Sequence, residues 1–150
     1  MILIRQRAVR VQRRALELFL RRVKNELGYE HADVTVCLVT DAQIARMNET
    51  FRKKKGPTDV LSFPASARRR PARLGRHSRR SKNVLYLGDI AISPATARRY
   101  ARKHGRGLAS ELRVLILHGV LHLLGYDHET DRGQMDRLEE KLRKRFGLAG

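Results

Sequence analysis

His118 and His122 stand four residues apart in an apolar run, and His128 follows six residues later. At 3.6 residues per turn the first two share one face of a helix. Gly125 lies between the second and the third, where it can end that helix and swing His128 back towards the other two. The run is His118-Gly119-Val120-Leu121-His122-Leu123-Leu124-Gly125-Tyr126-Asp127-His128, or H-x-x-x-H-x-x-G-x-x-H. Three neutral imidazoles meeting at one point suit a single Zn2+ per chain. They leave a fourth tetrahedral position for water, which is the arrangement of a catalytic rather than a purely structural metal. A lone histidine on an apolar helix is ordinarily a core residue, but three at these offsets ask for a different account. The dry surroundings also strengthen the metal's charge on its water.

Metzincin proteases share these ligand offsets and the glycine, but carry Glu directly after the first His as general base. This chain has Gly119 there, so peptide hydrolysis would need its base from elsewhere. Phosphodiester hydrolysis fits better, because a metal acts as a Lewis acid on a phosphoryl oxygen while arginine neutralises the charge that develops. The composition favours the same substrates: 33 Lys+Arg against 15 Asp+Glu give a net charge of +18, which draws polyanions. Around the histidines, Asp127 either orients a ligand imidazole or caps the turn after Gly125. Glu111, seven residues before His118, lies two turns up the same helix face and is a candidate supporting residue. Asp59 and Asp89 border strands and read as structural, and Cys37 reads as a core residue.

These residues must be held by a fold, and 150 residues at 41% hydrophobic suffice for one globular domain. Met1–Ile4 reads as an opening strand, and Leu16, Leu20, Val23 and Leu27 follow at helical spacing until Gly28. Val34–Val39 is β-branched and reads as a strand. Thr40 and Gln43 are then spaced as a capping box for a helix turning Ile44, Met47 and Phe51 inward. Strands are expected over Asp59–Phe63 and about Leu85–Ile92. Ser93-Pro94 caps a helix ending near Gly105. Leu108–Leu124 is apolar nearly all round, which marks a central buried helix, and a last helix is expected to start near Thr130 or Asp131. The order β-α-β-α-β-β-α-α-α predicts an α+β single domain, residues 1–150, in which a small mixed sheet packs with several helices. Between Pro64 and Val84 the pattern lapses into eight Arg/Lys and no acids, a basic loop at about 65–84 in which Arg68, Arg69 and Arg70 are candidate substrate contacts.

Composition also excludes classes. The single Cys37 rules out an intramolecular disulfide framework, a four-cysteine zinc site and the paired-cysteine signature of nucleobase deaminases. Aromatic content of 5% with no Trp disfavours a module that reads single strands mainly by stacking. No apolar run reaches the roughly 18–20 residues of a membrane span, and no secretory leader pattern opens the chain, so no membrane partner is expected. The first 27 residues, with eight Arg/Lys, have the composition of an organellar transit peptide but carry a folded-domain pattern. A reducing compartment is the simplest setting for a chain with one cysteine.

The chain closely resembles the YbeY family of bacterial and organellar metal-dependent endoribonucleases, over almost its whole length. The resemblance rests on the run from His118 to His128, on Met47-Asn48-Glu49-Thr50-Phe51-Arg52 with Pro57-Thr58-Asp59-Val60-Leu61-Ser62-Phe63-Pro64, and on Leu87-Gly88-Asp89-Ile90-Ala91-Ile92-Ser93. It implies a zinc held by His118, His122 and His128, and a catalytic role for Arg52, which composition alone would leave as a surface charge. It also implies single-strand-specific cleavage of RNA, maturation of the 3′ end of small-subunit ribosomal RNA, ribosome quality control, and precursor ribosomal RNA and the ribosome as partners. The Arg-rich stretch after Pro64 departs from the family, where a shorter and often acidic connection is expected. The alternative is a non-catalytic ribosome-assembly factor that binds RNA around a structural zinc, with a metallopeptidase third.

Overall fold

Side-chain alternation along the strands decides which helix covers which face of the sheet. The structure, a computed structural model, describes residues 1–65, 84–127 and 129–148. Its elements are β1 (Ile2–Ile4), α1 (Arg13–Glu26), β2 (Asp33–Leu38), α2 (Asp41–Arg52), β3 (Val60–Pro64), β4 (Tyr86–Ile92), α3 (Pro94–Lys103), α4 (Leu108–Leu123) and α5 (Gln134–Arg145). The four strands form one mixed sheet in the order β1-β2-β4-β3. β2 runs parallel to both β1 and β4, whereas β3 is antiparallel to β4, with Ser62 opposite Ile90. β3 is therefore an edge strand.

Val34, Val36 and Leu38 of β2 and Ile90 and Ile92 of β4 point into the main core, where they meet α1 and α4. Their neighbours in sequence, Cys37 and Ala91, turn to the opposite face, where Leu61 joins Ile44 and Met47 of α2 in a smaller cluster. Period-two alternation thus gives the sheet two apolar faces, and each needs helical cover. Cys37 is half-buried at the border of the smaller cluster. α4 packs against β3, β4, α1, α3 and α5, which accounts for its having no polar face.

The caps are those the residue types call for. Thr40 Oγ1 accepts from Gln43 N at 3.1 Å and Gln43 Oε1 accepts from Thr40 N at 3.0 Å, a complete capping box at the start of α2. Ser93 Oγ accepts from Thr96 N at 3.2 Å at the start of α3. These two helix starts are tied together: Asp41 Oδ1 accepts from Ser93 Oγ at 2.5 Å and Thr96 Oγ1 at 2.6 Å, and Asp41 Oδ2 pairs with Arg99 Nη1 at 2.9 Å. The last helix begins at Gln134, later than the apolar spacing suggests. Asp131 is the cause, since its two carboxylate oxygens accept from Gly133 N at 2.8 Å and Met135 N at 2.9 Å, which holds residue 131 outside the helix it caps. The basic loop at about 65–84, with Arg68, Arg69 and Arg70, falls outside the described residues but for its end positions.

Candidate metal centre and cleft

α4 is buried along most of its length, and the half-buried side chains in its second half are His118 and His122. Their Nε2 atoms lie 3.0 Å apart, and the rings meet edge to face at 4.6 Å between centroids. Just beyond, Gly125 adopts φ +99° and closes the helix: Gly125 N donates to His122 O at 3.0 Å and Tyr126 N to Leu121 O at 3.1 Å. These two bonds are a Schellman pair, which only a residue at ease with positive φ completes without strain. His128 lies outside the described residues, and among those described no third His, Cys, Asp or Glu joins the pair in a metal-binding group.

His118 Nδ1 is 2.7 Å from Glu139 Oε1 on α5. A carboxylate accepts, so in the neutral ring the proton sits on Nδ1 and Nε2 is left as a bare lone pair facing His122. This is the outer support that metal-ligating imidazoles ordinarily have. Two nitrogens on one tetrahedral ion at roughly 2.0–2.1 Å lie about 3.3 Å apart, which a small turn of either ring reaches from the spacing found here. In donor type and spacing the pair fits a zinc ion, and Glu139 holds His118 in the tautomer that a metal requires.

Glu139 does not stand out from the histidine run, being 21 residues from His118 along the chain. Its signal is on α5: Met135, Leu138, Leu142 and Phe146 define the inward face, and Glu139 sits on that face, at i+4 from Met135. An acid in an apolar stripe needs a partner, and this one has His118 at 2.7 Å and Arg143 at 3.9 Å.

The other candidates fall in different places. Asp127 Oδ1 accepts from Glu129 N at 3.0 Å, and its carbonyl accepts from Asp131 N at 3.0 Å, so it shapes the turn that leaves α4. Glu111 is buried near the start of α4, with Arg106 Nε at 3.6 Å from Oε1. Burial pushes its carboxyl above the ordinary value; Arg106 opposes this and Asp59 adds to it. Glu111 is not part of the cleft wall. Asp89 accepts from Tyr86 Oη.

His118 and His122 open into a cleft of ≈ 840 Å³ that follows the edge strand β3. Arg52, the last residue of α2, and Ser62, which donates to Gly119 O at 3.4 Å, also line it. Arg52 is exposed and makes no hydrogen bond or ion pair among the described residues. Its place at a helix C-terminus, where the carbonyl ends are negative, favours the cation there.

Gly119 sits one residue after His118, with its α-carbon facing β4. A β-carbon added there would come within 2.8 Å of Ile90 Cδ1 and 2.9 Å of Ile90 Cγ2. Any side chain at this point would have to displace Ile90, so packing disfavours a glutamate in the position that metzincins use.

The comparisons with known proteins agree with one another. The family model for Endoribonuclease YbeY matches residues 2–147. Relatives bearing that name include one from Solibacter usitatus, 40% identical over 147 residues, covering 98% of this chain and 88% of the relative. Another, from Aquifex aeolicus, is 36% identical over 139 residues, covering 93% and 85%. A solution structure of a protein from Thermotoga maritima superposes with a TM-score of 0.63 at 27% identity, covering 98% of this chain and 90% of that one.

Proposed function

The chain belongs to the YbeY family of endoribonucleases, and we propose that it is a hydrolytic, metal-dependent endoribonuclease using zinc. We further propose single-stranded RNA as its substrate, the 3′ end of precursor small-subunit ribosomal RNA as its target, and a role in ribosome quality control in a bacterial cytoplasm. The observation that carries the chemistry is the pair of Nε2 atoms 3.0 Å apart, opening into a cleft that Arg52 also lines.

His118 and His122, with His128, would hold the ion, and Glu139, bonded to His118 Nδ1, would leave Nε2 as the ligating nitrogen. When bound, zinc supplies Lewis-acid stabilisation of a phosphoryl oxygen and lowers the pKa of water. The chain's own part is positioning and charge. Hydrolysis adds the oxygen of water to phosphorus and breaks the bond to the leaving oxygen, and negative charge grows on the phosphoryl oxygens between. Arg52, with its guanidinium donors uncommitted among the described residues, can take a phosphate oxygen pair in its fork. The buried leucines and valines of α4 exclude water behind the histidines, which strengthens every charge interaction in front of them.

The test is cleavage of a precursor small-subunit ribosomal RNA by protein whose metal content has been counted. A His118→Ala, His122→Ala double variant and a chelated sample run alongside. The expected result is one metal per chain and loss of cutting in both controls. Binding without cutting, across metals and pH, would overturn the enzymatic reading in favour of an assembly factor with structural zinc.

A further inference from the structure

The sequence pattern turns Phe51 inward with Ile44 and Met47, but the structure leaves it 65% exposed, on the lip of the cleft. Burying such a ring would stabilise the fold, which forgoes most of that gain here. The ring is nevertheless held in place. It meets Phe63 of β3 edge to face, 5.1 Å between centroids at 73°. With 65% of its surface exposed, the ring remains open to solvent around that contact. The backbone beneath it is braced as well. Lys53 takes the left-handed conformation that ends α2, with φ 55°, and buried Asn48 donates Nδ2–H to Gly56 O at 3.0 Å, fixing the turn that follows.

The surroundings select what could cover that ring. Arg52 is its neighbour in the chain, and Lys53, Lys54 and Lys55, all exposed, follow directly. An apolar protein face laid on Phe51 would have to strip water from four cations. A polynucleotide would not, because each of its units brings one flat ring and one phosphate, and Phe51 with Arg52 offers one flat ring and one cation beside it. We propose that Phe51 is the stacking platform for an unpaired nucleobase next to the bond to be cut, and that this contact makes the site select single strands. A base inside a duplex has both faces covered by its neighbours, so it cannot use the platform. The low aromatic content of the chain argues against stacking as the main source of affinity, but one fixed ring beside a cationic cleft suffices for selection.

The proposal rests on the endoribonuclease reading, and its test separates the two. The chain contains no Trp, so Phe51→Trp introduces a single fluorophore at the platform. The probes are two uncut analogues of about ten nucleotides, within the span of one binding groove. One is single-stranded DNA of mixed sequence, and the other is a fully abasic chain with the same number of phosphates. Metal-loaded Phe51→Trp protein should be quenched by the base-bearing strand and not by the abasic one. Phe51→Leu keeps apolar contact with Phe63 but removes the ring. It should weaken binding of the base-bearing strand about 5- to 150-fold, from the usual worth of one base–aromatic stack, and leave abasic binding unchanged. Equal weakening on both probes, or unchanged binding on both, would overturn the platform. If the parent protein also cuts RNA, that failure leaves the endoribonuclease reading intact. Base-dependent quenching in a protein that cuts no RNA supports the platform and removes the enzymatic reading instead.

Discussion

A histidine ligand is only as good as the group behind it. His118 has Glu139 at 2.7 Å on its Nδ1, and that contact decides which nitrogen faces the cleft. Replacing such a partner ordinarily costs 10–100-fold in metal affinity. Glu139→Ala should therefore lower zinc affinity by about that factor, measured by competition with a chelator. Glu139→Gln, which can still accept from Nδ1–H, should lose less. Equal affinity in parent and Glu139→Ala would remove the support role. Arg52→Ala belongs at the same scale and should read out differently. Metal content should be unchanged, while kcat for RNA cleavage falls on the order of 100-fold, as when one charge-stabilising donor is removed. Full activity in that variant would return Arg52 to the status of a surface cation. At this scale the meeting of His118 and His122 on one helix face was legible, because helical period is local, whereas His128 lies outside the described residues. Glu139 was not read, because its relation to His118 crosses 21 residues and two helices.

The elements position these groups through two close contacts, and each yields a test. Gly119 brings α4 against β4 so closely that Ile90 fills the space a β-carbon needs. Gly119→Ala should cost about 1–3 kcal/mol by overpacking, which for a domain of this size is a fall of roughly 2–4 °C in Tm per kcal/mol. Combining it with Ile90→Val should recover part of the loss, since the two substitutions share one space. Strictly additive losses would show that the clash is not the cause. The second contact is Asp41, which joins the starts of α2 and α3. Partial burial works to raise its pKa, but the bonds from Ser93, Thr96 and Arg99 prevail and hold the carboxyl below the ordinary range. A depressed carboxylate contributes stability that is present above the unfolded-state pKa and is lost as pH falls through the folded-state one. Asp41→Asn should thus melt below the parent at neutral pH and converge with it in acid, once pH has fallen through the depressed folded-state value. A constant gap across pH would mean that the charge of Asp41 is not what ties the helices. The element order was legible because each helix and strand carries its own period and caps. Strand order was not, because pairing β3 antiparallel at the edge depends on contacts between distant residues. The cleft follows that edge, so its place could not be read in advance.

For the whole molecule, charge decides how substrate arrives. A net charge of +18 gives an attraction to RNA that sequence-independent counterion release dominates. Binding should weaken steeply with salt, with log K falling against log salt by about 0.7 for each phosphate neutralised on a single strand. The useful question is which cations are engaged, and two triple variants ask it. Lys53, Lys54 and Lys55 are exposed and follow Phe51 and Arg52 of the cleft directly in the chain, so changing all three to Ala should lower the slope by about 2 if substrate enters there. Arg68, Arg69 and Arg70 carry the same charge in the basic segment after Pro64. If they touch substrate, their replacement by Ala should flatten the slope by a similar amount, and the two losses should add. If the arginine variant keeps the parent's slope while the lysine variant loses about 2, substrate follows the cleft lip alone. The Arg68, Arg69 and Arg70 assignment would then fall, and the basic segment after Pro64 would have to be explained by another partner. An unchanged slope in the lysine variant would instead remove the cleft lip as the route of entry, and with it the charge argument that places a nucleobase on Phe51.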